Sequence, residues 1–238
     1  MALTACRGGT GRDVAQEVTA PAPTSAQASS QNPDGTPKTG RYLAAEAAVA
    51  RIGIYSRPGD GNPLLTLAHP NPIGAPLTFA VLSGRDGWLE VRLPVRPNGS
   101  TGWLRSSDVT LIRHSFRVEV RLAERVLTVF DGDDVIQAEP IGVGGQPTPT
   151  PSGEFYLYEL VRSTDPNGPF GPYAFGLSGF CTTIDAINAG EGRLGLHGTN
   201  EPSSLGSSTT NGGIRLANAA IEQLARTVPL GTPVVIFA

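Results

Sequence analysis

Leu196-His197-Gly198-Thr199-Asn200-Glu201-Pro202-Ser203-Ser204-Leu205-Gly206-Ser207-Ser208-Thr209-Thr210-Asn211-Gly212-Gly213-Ile214-Arg215-Leu216 is the stretch whose reading decides what this chain is. His197 is its one titratable ring. Gly198 follows at once and, having no side chain, lets the backbone pass close to a site. Hydroxyls crowd the segment from Ser207 to Thr210, and Gly212-Gly213 then offers backbone N–H groups of the kind that stabilise an oxyanion. Arg215 closes the segment as a cation that either pairs with a ligand carboxylate or braces the loop through an ion pair. Taken alone, a histidine is more simply a satisfied structural residue than a base.

Outward from this stretch the chain reads as short strands and turns. Downstream, Ile221, Leu224, Ala225 and Val228 sit at helical spacing, with Asn218 as a candidate N-cap and Glu222 in the first turn. Pro229 stops that helix, and Thr232 to Phe237 reads as a closing strand. Upstream, Phe116, Val118, Val120 and Leu122 alternate with charged residues, the period of a half-buried strand. Val126 to Phe130 is a second strand, Asp131-Gly132-Asp133-Asp134 a hairpin turn, and Val135 to Val143 continues the meander. A Pro/Thr/Gly loop from Gly144 to Gly153 leads into a strand over Glu154 to Leu160, and Pro169 to Gly179 is rich in aromatics and glycine.

A separate unit precedes these elements, from Ala44 to about Leu111. Trp88, Glu90 and Arg92 alternate with Leu89, Val91 and Leu93 as in a half-buried strand. Ser83 to Gly87 and Pro97-Asn98-Gly99-Ser100 read as turns, and Thr101-Gly102-Trp103-Leu104 follows the second of them. The pattern G-W-L-E-V-R-L, turn, G-W-L-R-S-S-D-V resembles the C-terminal half of bacterial SH3-like barrels. The plainer alternative is an unrelated β module whose two tryptophans are core. Val18 to Gly40 is rich in Pro, Ala, Ser, Thr and Gln and lacks the apolar surface to fold, so it reads as a tether. Ahead of it, Leu3-Thr4-Ala5-Cys6 has the form of a lipobox, with Cys6 as the lipid-bearing residue; the bland alternative is a free cysteine in a tail.

The His197 stretch resembles the active-site segment of the L,D-transpeptidase (YkuD-type) family, which runs H-G-T-N-x-P-x-S-x-G and, after a few residues, S-H-G-C-I-R. His197 through Gly206 carry the first half. Thr210 to Arg215 carry the second, with Asn211 at the family's second histidine and Gly213 at its nucleophilic cysteine. The loop Gly144 to Phe155 also fits the family, as G-x-x-x-T-P-T-P-x-G-x-F, and so does Pro169 to Gly179. The resemblance covers Arg113 to Ala238. It implies a mainly β fold: an SH3-like small barrel over 44–112, then an L,D-transpeptidase-type β-sandwich with one short helix over 113–238, behind a lipobox and tether over 1–43.

The same resemblance implies the chemistry. In the family a cysteine thiolate attacks a peptidoglycan stem tetrapeptide, D-alanine leaves, and an amine of a second stem resolves the thioester into a 3→3 cross-link. Catalytic positions carried over are His197, Asn211, Gly212, Gly213 and Arg215; Tyr173, Phe175, Gly198, Thr199 and Asn200 are the expected substrate-binding residues. Glycine at 213 cannot form a thioester. Three readings follow: a catalytically impaired transpeptidase, or pseudoenzyme; a non-catalytic protein binding peptidoglycan stem peptides; and a lipid-tethered adaptor. Cys181 is the one other candidate thiol, and a buried small apolar residue is its plainer reading. No cofactor is implied, and carbapenem-type acylating ligands are expected only if a nucleophile is restored.

Composition narrows the partners. The chain has 238 residues and a formal net charge of −3, too long for one small core and enough for two modest domains and a tail. Its basic residues are scattered arginines with Lys38 the only lysine, which argues against nucleic acid. The three histidines, His69, His114 and His197, have no metal-ligand spacing with cysteine or aspartate, so no metal is expected. The expected place is the cell envelope, outside the cytoplasm, with a membrane anchor through lipid on Cys6. Expressed behind its native upstream sequence, the protein should carry an acyl mass increment at Cys6; an unmodified N-terminus and release into the medium would refute the anchor.

Overall fold

The computed structural model describes residues 41–181 and 192–238; the expected tether and Cys6 lie outside the described residues. The first unit comprises β1 (Tyr42–Ala47), β2 (Arg51–Ile54), β3 (Leu65–Ala68), β4 (Thr78–Arg85), β5 (Trp88–Arg92), β6 (Thr101–Arg105) and β7 (Val109–His114). Five of these strands form a sheet in the order β6-β5-β4-β1-β7, and β2 pairs with β3 as a separate hairpin. The first strand among the described residues starts at Tyr42, two residues ahead of the expected start at Ala44. In β5, Leu89 and Val91 point inward while Trp88, Glu90 and Arg92 do not, as their alternation requires. The expected turn at Ser83 is not one: β4 runs on through Arg85, and the reversal is confined to Asp86-Gly87, at φ 50° and 80°.

Both tryptophans lie outside the apolar cluster, half-buried, so the reading of them as core is corrected. Trp88 meets Tyr55 edge-on at 5.0 Å, and Arg85 and Arg105 stack over Trp103 and over the Tyr55–Trp88 pair.

The second unit is mainly β as well. Its strands are β8 (Phe116–Arg121), β9 (Val126–Asp131), β10 (Asp134–Pro140), β11 (Gly153–Arg162), β12 (Tyr173–Phe180), β13 (Arg193–His197), β14 (Ile214–Arg215) and β15 (Pro233–Phe237). They form one sheet in the order β10-β9-β8-β15-β11-β12-β13-β14. The expected β-sandwich is built from this one sheet, which curls at β11, whose first half pairs with β15 and second half with β12. The closing strand β15 inserts parallel to β8. The helix α1 (Asn218–Thr227) packs Ala220, Ile221 and Leu224 into the core. Its N-cap is Ala217, not Asn218, and Glu222 lies beyond the first turn, within 3.5 Å of Arg226. The change of sheet falls at Ser115.

β11 joins the two units. Phe155 and Leu157 enter the core of the second unit, whereas Tyr156 and Tyr158, facing the other way, belong to the core of the first. Polar contacts seal the seam. Asn71 Nδ2 donates to the buried Glu159 at 2.8 Å, and Arg193 approaches the other oxygen of that carboxylate at 3.8 Å. The Asn98 side chain accepts from Phe180 N and donates to Phe180 O, both at 2.9 Å, pairing with the end of β12 as a neighbouring strand would.

His114, at the end of β7, is buried between the rings of Tyr42 and Phe116. Neither ring nitrogen has a partner in hydrogen-bonding geometry, although the Phe116 main chain lies near enough to oppose the effect of burial weakly. Burial lowers its pKa from 6.5 to about 4. The unfolded chain therefore binds a proton near pH 6.5 that the folded chain refuses until about 4, so stability is full above pH 6.5 and falls as pH drops through that window. Urea midpoints between pH 7 and 4 should show His114→Phe losing less stability than the unmodified chain, by up to on the order of 3 kcal/mol.

Candidate functional site

β13 carries His197 at its C-terminal end, and β14 runs parallel beside it, with Leu196 opposite Ile214 and His197 opposite Arg215. The segment between leaves from the end of β13 and must return to the start of β14. That geometry brings Gly213, the last residue before β14, against the imidazole. A Cβ built on Gly213 would lie 3.2 Å from His197 Nε2 and 3.5 Å from Gly195 O. The backbone at Gly213 is not in the left-handed region, unlike that of Gly212 at φ 95°. A side chain at 213 is thus allowed by the backbone and needs a shift of a few tenths of an ångström from the ring.

His197 is 4% exposed. Its Nδ1 lies 2.6 Å from Gly198 O; a carbonyl only accepts, so Nδ1 carries the proton and Nε2 presents a lone pair toward Gly213. The edge of Phe170 closes over the ring at 5.0 Å. Burial lowers the pKa to about 4; the Gly198 carbonyl opposes this and the charge of Arg215 adds to it. The resting imidazole is therefore neutral with an available base nitrogen.

A frame of main chain and threonines holds the loop. Gly142 N and O both pair with Arg215, and Thr210 N donates to Val143 O at 3.0 Å. Thr150 Oγ1 donates to Gly212 O at 2.9 Å and accepts from Gly144 N at 2.8 Å; Thr210 Oγ1 donates to Gly213 O at 2.6 Å. With both carbonyls turned to these hydroxyls, no acceptor among the described residues takes the N–H of Gly212 or Gly213. Gly144 is required here, because a Cβ would sit 2.7 Å from Gly212 Cα. Gly198 is required for the same reason: a Cβ would meet Asn218 Oδ1 at 2.4 Å and Gly171 Cα at 3.0 Å.

The structure brings His197, Gly212, Gly213 and Arg215 together. Asn211 points to the surface, where its amide makes no side-chain hydrogen bond among the described residues. Asn200 is exposed beside the site. Thr199 is buried, and its hydroxyl accepts from Glu201 N, which shapes the turn. Phe175, an expected substrate-binding residue, is wholly buried in the core. Tyr173 lines an open pocket of about 690 Å³ with Arg162, Pro172, Glu222 and Arg226, but neither His197 nor Gly213 borders it.

No replacement nucleophile stands against His197 among the described residues. Cys181 is buried in the core of the second unit. Ser207 and Thr210 donate to backbone carbonyls, and no hydroxyl among the described residues bonds to His197 Nε2. Phe170, Thr150, Glu201 and Asn218 are site residues that sequence reasoning missed. Only Thr150 had a signal, as the second threonine of T-P-T-P. Asn218, expected to cap α1, accepts instead from Thr199 N at 2.8 Å.

Residues 115–236 match the family model of the L,D-transpeptidase catalytic domain, YkuD. The putative L,D-transpeptidase YkuD of Bacillus licheniformis is 38% identical over 119 residues, 50% of this chain and 64% of that protein. Its counterpart in Bacillus subtilis is 36% identical over 121 residues, 51% and 65% respectively. The chain thus spans just under two thirds of the length of these relatives. Among solved structures, L,D-transpeptidase 3 from Mycobacterium tuberculosis in complex with a faropenem-derived adduct is 13% identical, with a TM-score of 0.46 over 68% of this chain and 91% of that one. Another L,D-transpeptidase from Mycobacterium tuberculosis H37Rv gives 16% and 0.45 over 60% and 75%. Likeness that distant says nothing about which residues react.

Thr150→Val keeps the volume and removes both hydroxyl bonds. It should lower stability by about 1–3 kcal/mol, since it orphans Gly212 O and Gly144 N, and Thr150→Ser should recover most of that in thermal unfolding.

Proposed function

Because the chain belongs to the L,D-transpeptidase (YkuD-type) family, we propose that its second unit binds the peptide stems of peptidoglycan without turning them over through an acyl-enzyme. One observation carries this reading. His197 Nε2 faces the place where a residue-213 side chain would stand, and that place holds glycine. The family reaction needs a thiolate to bond to the stem carbonyl while the amine leaves, with backbone donors taking the charge on oxygen. The base nitrogen and two unpaired N–H groups remain; the atom that would form the bond does not.

Gly213→Cys supplies the missing atom. A thiolate beside His197 favours the imidazolium, so the histidine's pKa should rise from about 4 once cysteine is installed. Intact-protein mass after incubation with a carbapenem is expected to show no adduct on the unmodified chain and an adduct on Gly213→Cys. Adding His197→Ala should slow its formation by about a hundredfold, the lower range for loss of a general base. An adduct on the unmodified chain would sink the reading.

For the first unit the proposal is an SH3-like adaptor. The tryptophans set outside its core, with Arg85 and Arg105 stacked on the aromatic face, support a partner-binding surface. The lipobox-like Cys6 and the tether to Gly40 support an envelope lipoprotein.

A further inference from the structure

Arg215 stands next to His197 on the neighbouring parallel strand, and its charge is felt at the imidazole. Its side chain is 21% exposed, and its one hydrogen-bond partner among the described residues is Glu201, at 2.7 Å from Nη1. Nε is buried with no acceptor among the described residues. The guanidinium is therefore held on the ligand side of the site by a single carboxylate. That carboxylate is lightly held: Glu201 is 64% exposed, and only its main chain is anchored, through Thr199 Oγ1 and Ser204 N. An exposed ion pair of this kind contributes little, about 0–1 kcal/mol, so a second carboxylate can take its place at small cost.

We infer that Arg215 is the site's receptor for a ligand carboxylate, and that Glu201 occupies it as an internal stand-in which such a ligand displaces. Binding is an exchange of one carboxylate for another on the same guanidinium. Glu201 thereby sets selectivity: a ligand with a free carboxylate beside the imidazole can compete for Arg215, and one with a neutral amide there cannot. A planar guanidinium suits this exchange, because its fork accepts two carboxylate oxygens side by side. The inference rests on reading the site as one for peptide stems, which carry free carboxylates.

The test uses the full chain labelled with 15N-arginine and follows the Arg215 Nε–H resonance. Sodium acetate should shift that resonance, acetamide should not, and Glu201→Gln should lower the acetate midpoint by about fivefold, the upper range for an exposed pair. Indifference to acetate in both chains, or an unchanged midpoint in Glu201→Gln, overturns the exchange. A stem tetrapeptide added to the same samples separates the two ideas. If acetate acts and the tetrapeptide does not, the carboxylate receptor stands and the stem-binding reading falls. If the tetrapeptide moves the His197 ring signals and leaves Arg215 Nε unmoved, the stem-binding reading stands and the exchange falls.

Discussion

Strand β11 is buried on both faces, and the architecture depends on it. In an ordinary half-buried strand one set of side chains meets water. Here Phe155 and Leu157 complete one core while Tyr156 and Tyr158 complete the other. Burying a large apolar side chain contributes roughly 1.5–3 kcal/mol, a gain that the buried Tyr156 hydroxyl, without a partner among the described residues, partly offsets. The carboxylate of Glu159 and the amide of Asn98 fix the register of that contact, since each leaves buried polar groups unmatched if the units slide. The far end of β12, held by Asn98, is in turn the neighbour of β13, which carries His197.

The site illustrates how glycines of identical composition do different work. Gly144 and Gly198 are close-approach positions, where another backbone or a buried amide fills the space a side chain needs. Gly212 supplies a left-handed turn. Gly213 supplies no left-handed turn, and a Cβ there would need only the imidazole to give by a few tenths of an ångström. Around these residues the threonines take up the carbonyls of Gly212 and Gly213, and no acceptor among the described residues takes the N–H of either glycine. The neutral imidazole follows from the same enclosure: with no anion beside it, burial outweighs every other influence on its proton.

Much of this was legible in the sequence because period-two alternation reports directly on one-sided burial. β5 and β8 are read from it, and the Asp131–Asp134 hairpin from its turn residues. The run F-Y-L-Y-E-L of β11 resisted, because a strand covered on both sides has no polar face to reveal which neighbour covers which residue. Asn218 misled for a related reason: asparagine before an apolar helical repeat is a capping signal, and nothing local reveals that a loop nineteen residues earlier claims its oxygen. Phe170 and Glu201 reach the site only through tertiary contact. The alternative reading of the tryptophans as core stayed open because size and apolarity do not say on which side of a strand a ring will lie.

The ordinary backbone at Gly213 bears on the history of the chain. A glycine at a position any L-residue can adopt brings no conformational benefit to the fold, and the freedom it gives the unfolded chain is a small cost, about 0.5–1 kcal/mol. The backbone therefore exerts no pressure to keep it, and the crowding a Cβ would meet is the imidazole nitrogen at 3.2 Å. Glycine and cysteine codons differ at a single first-base substitution, so the chemistry and its absence are mutational neighbours. A lineage can cross between a reacting and a non-reacting form without first remodelling the strands, the threonine frame or the histidine that would have to receive the change.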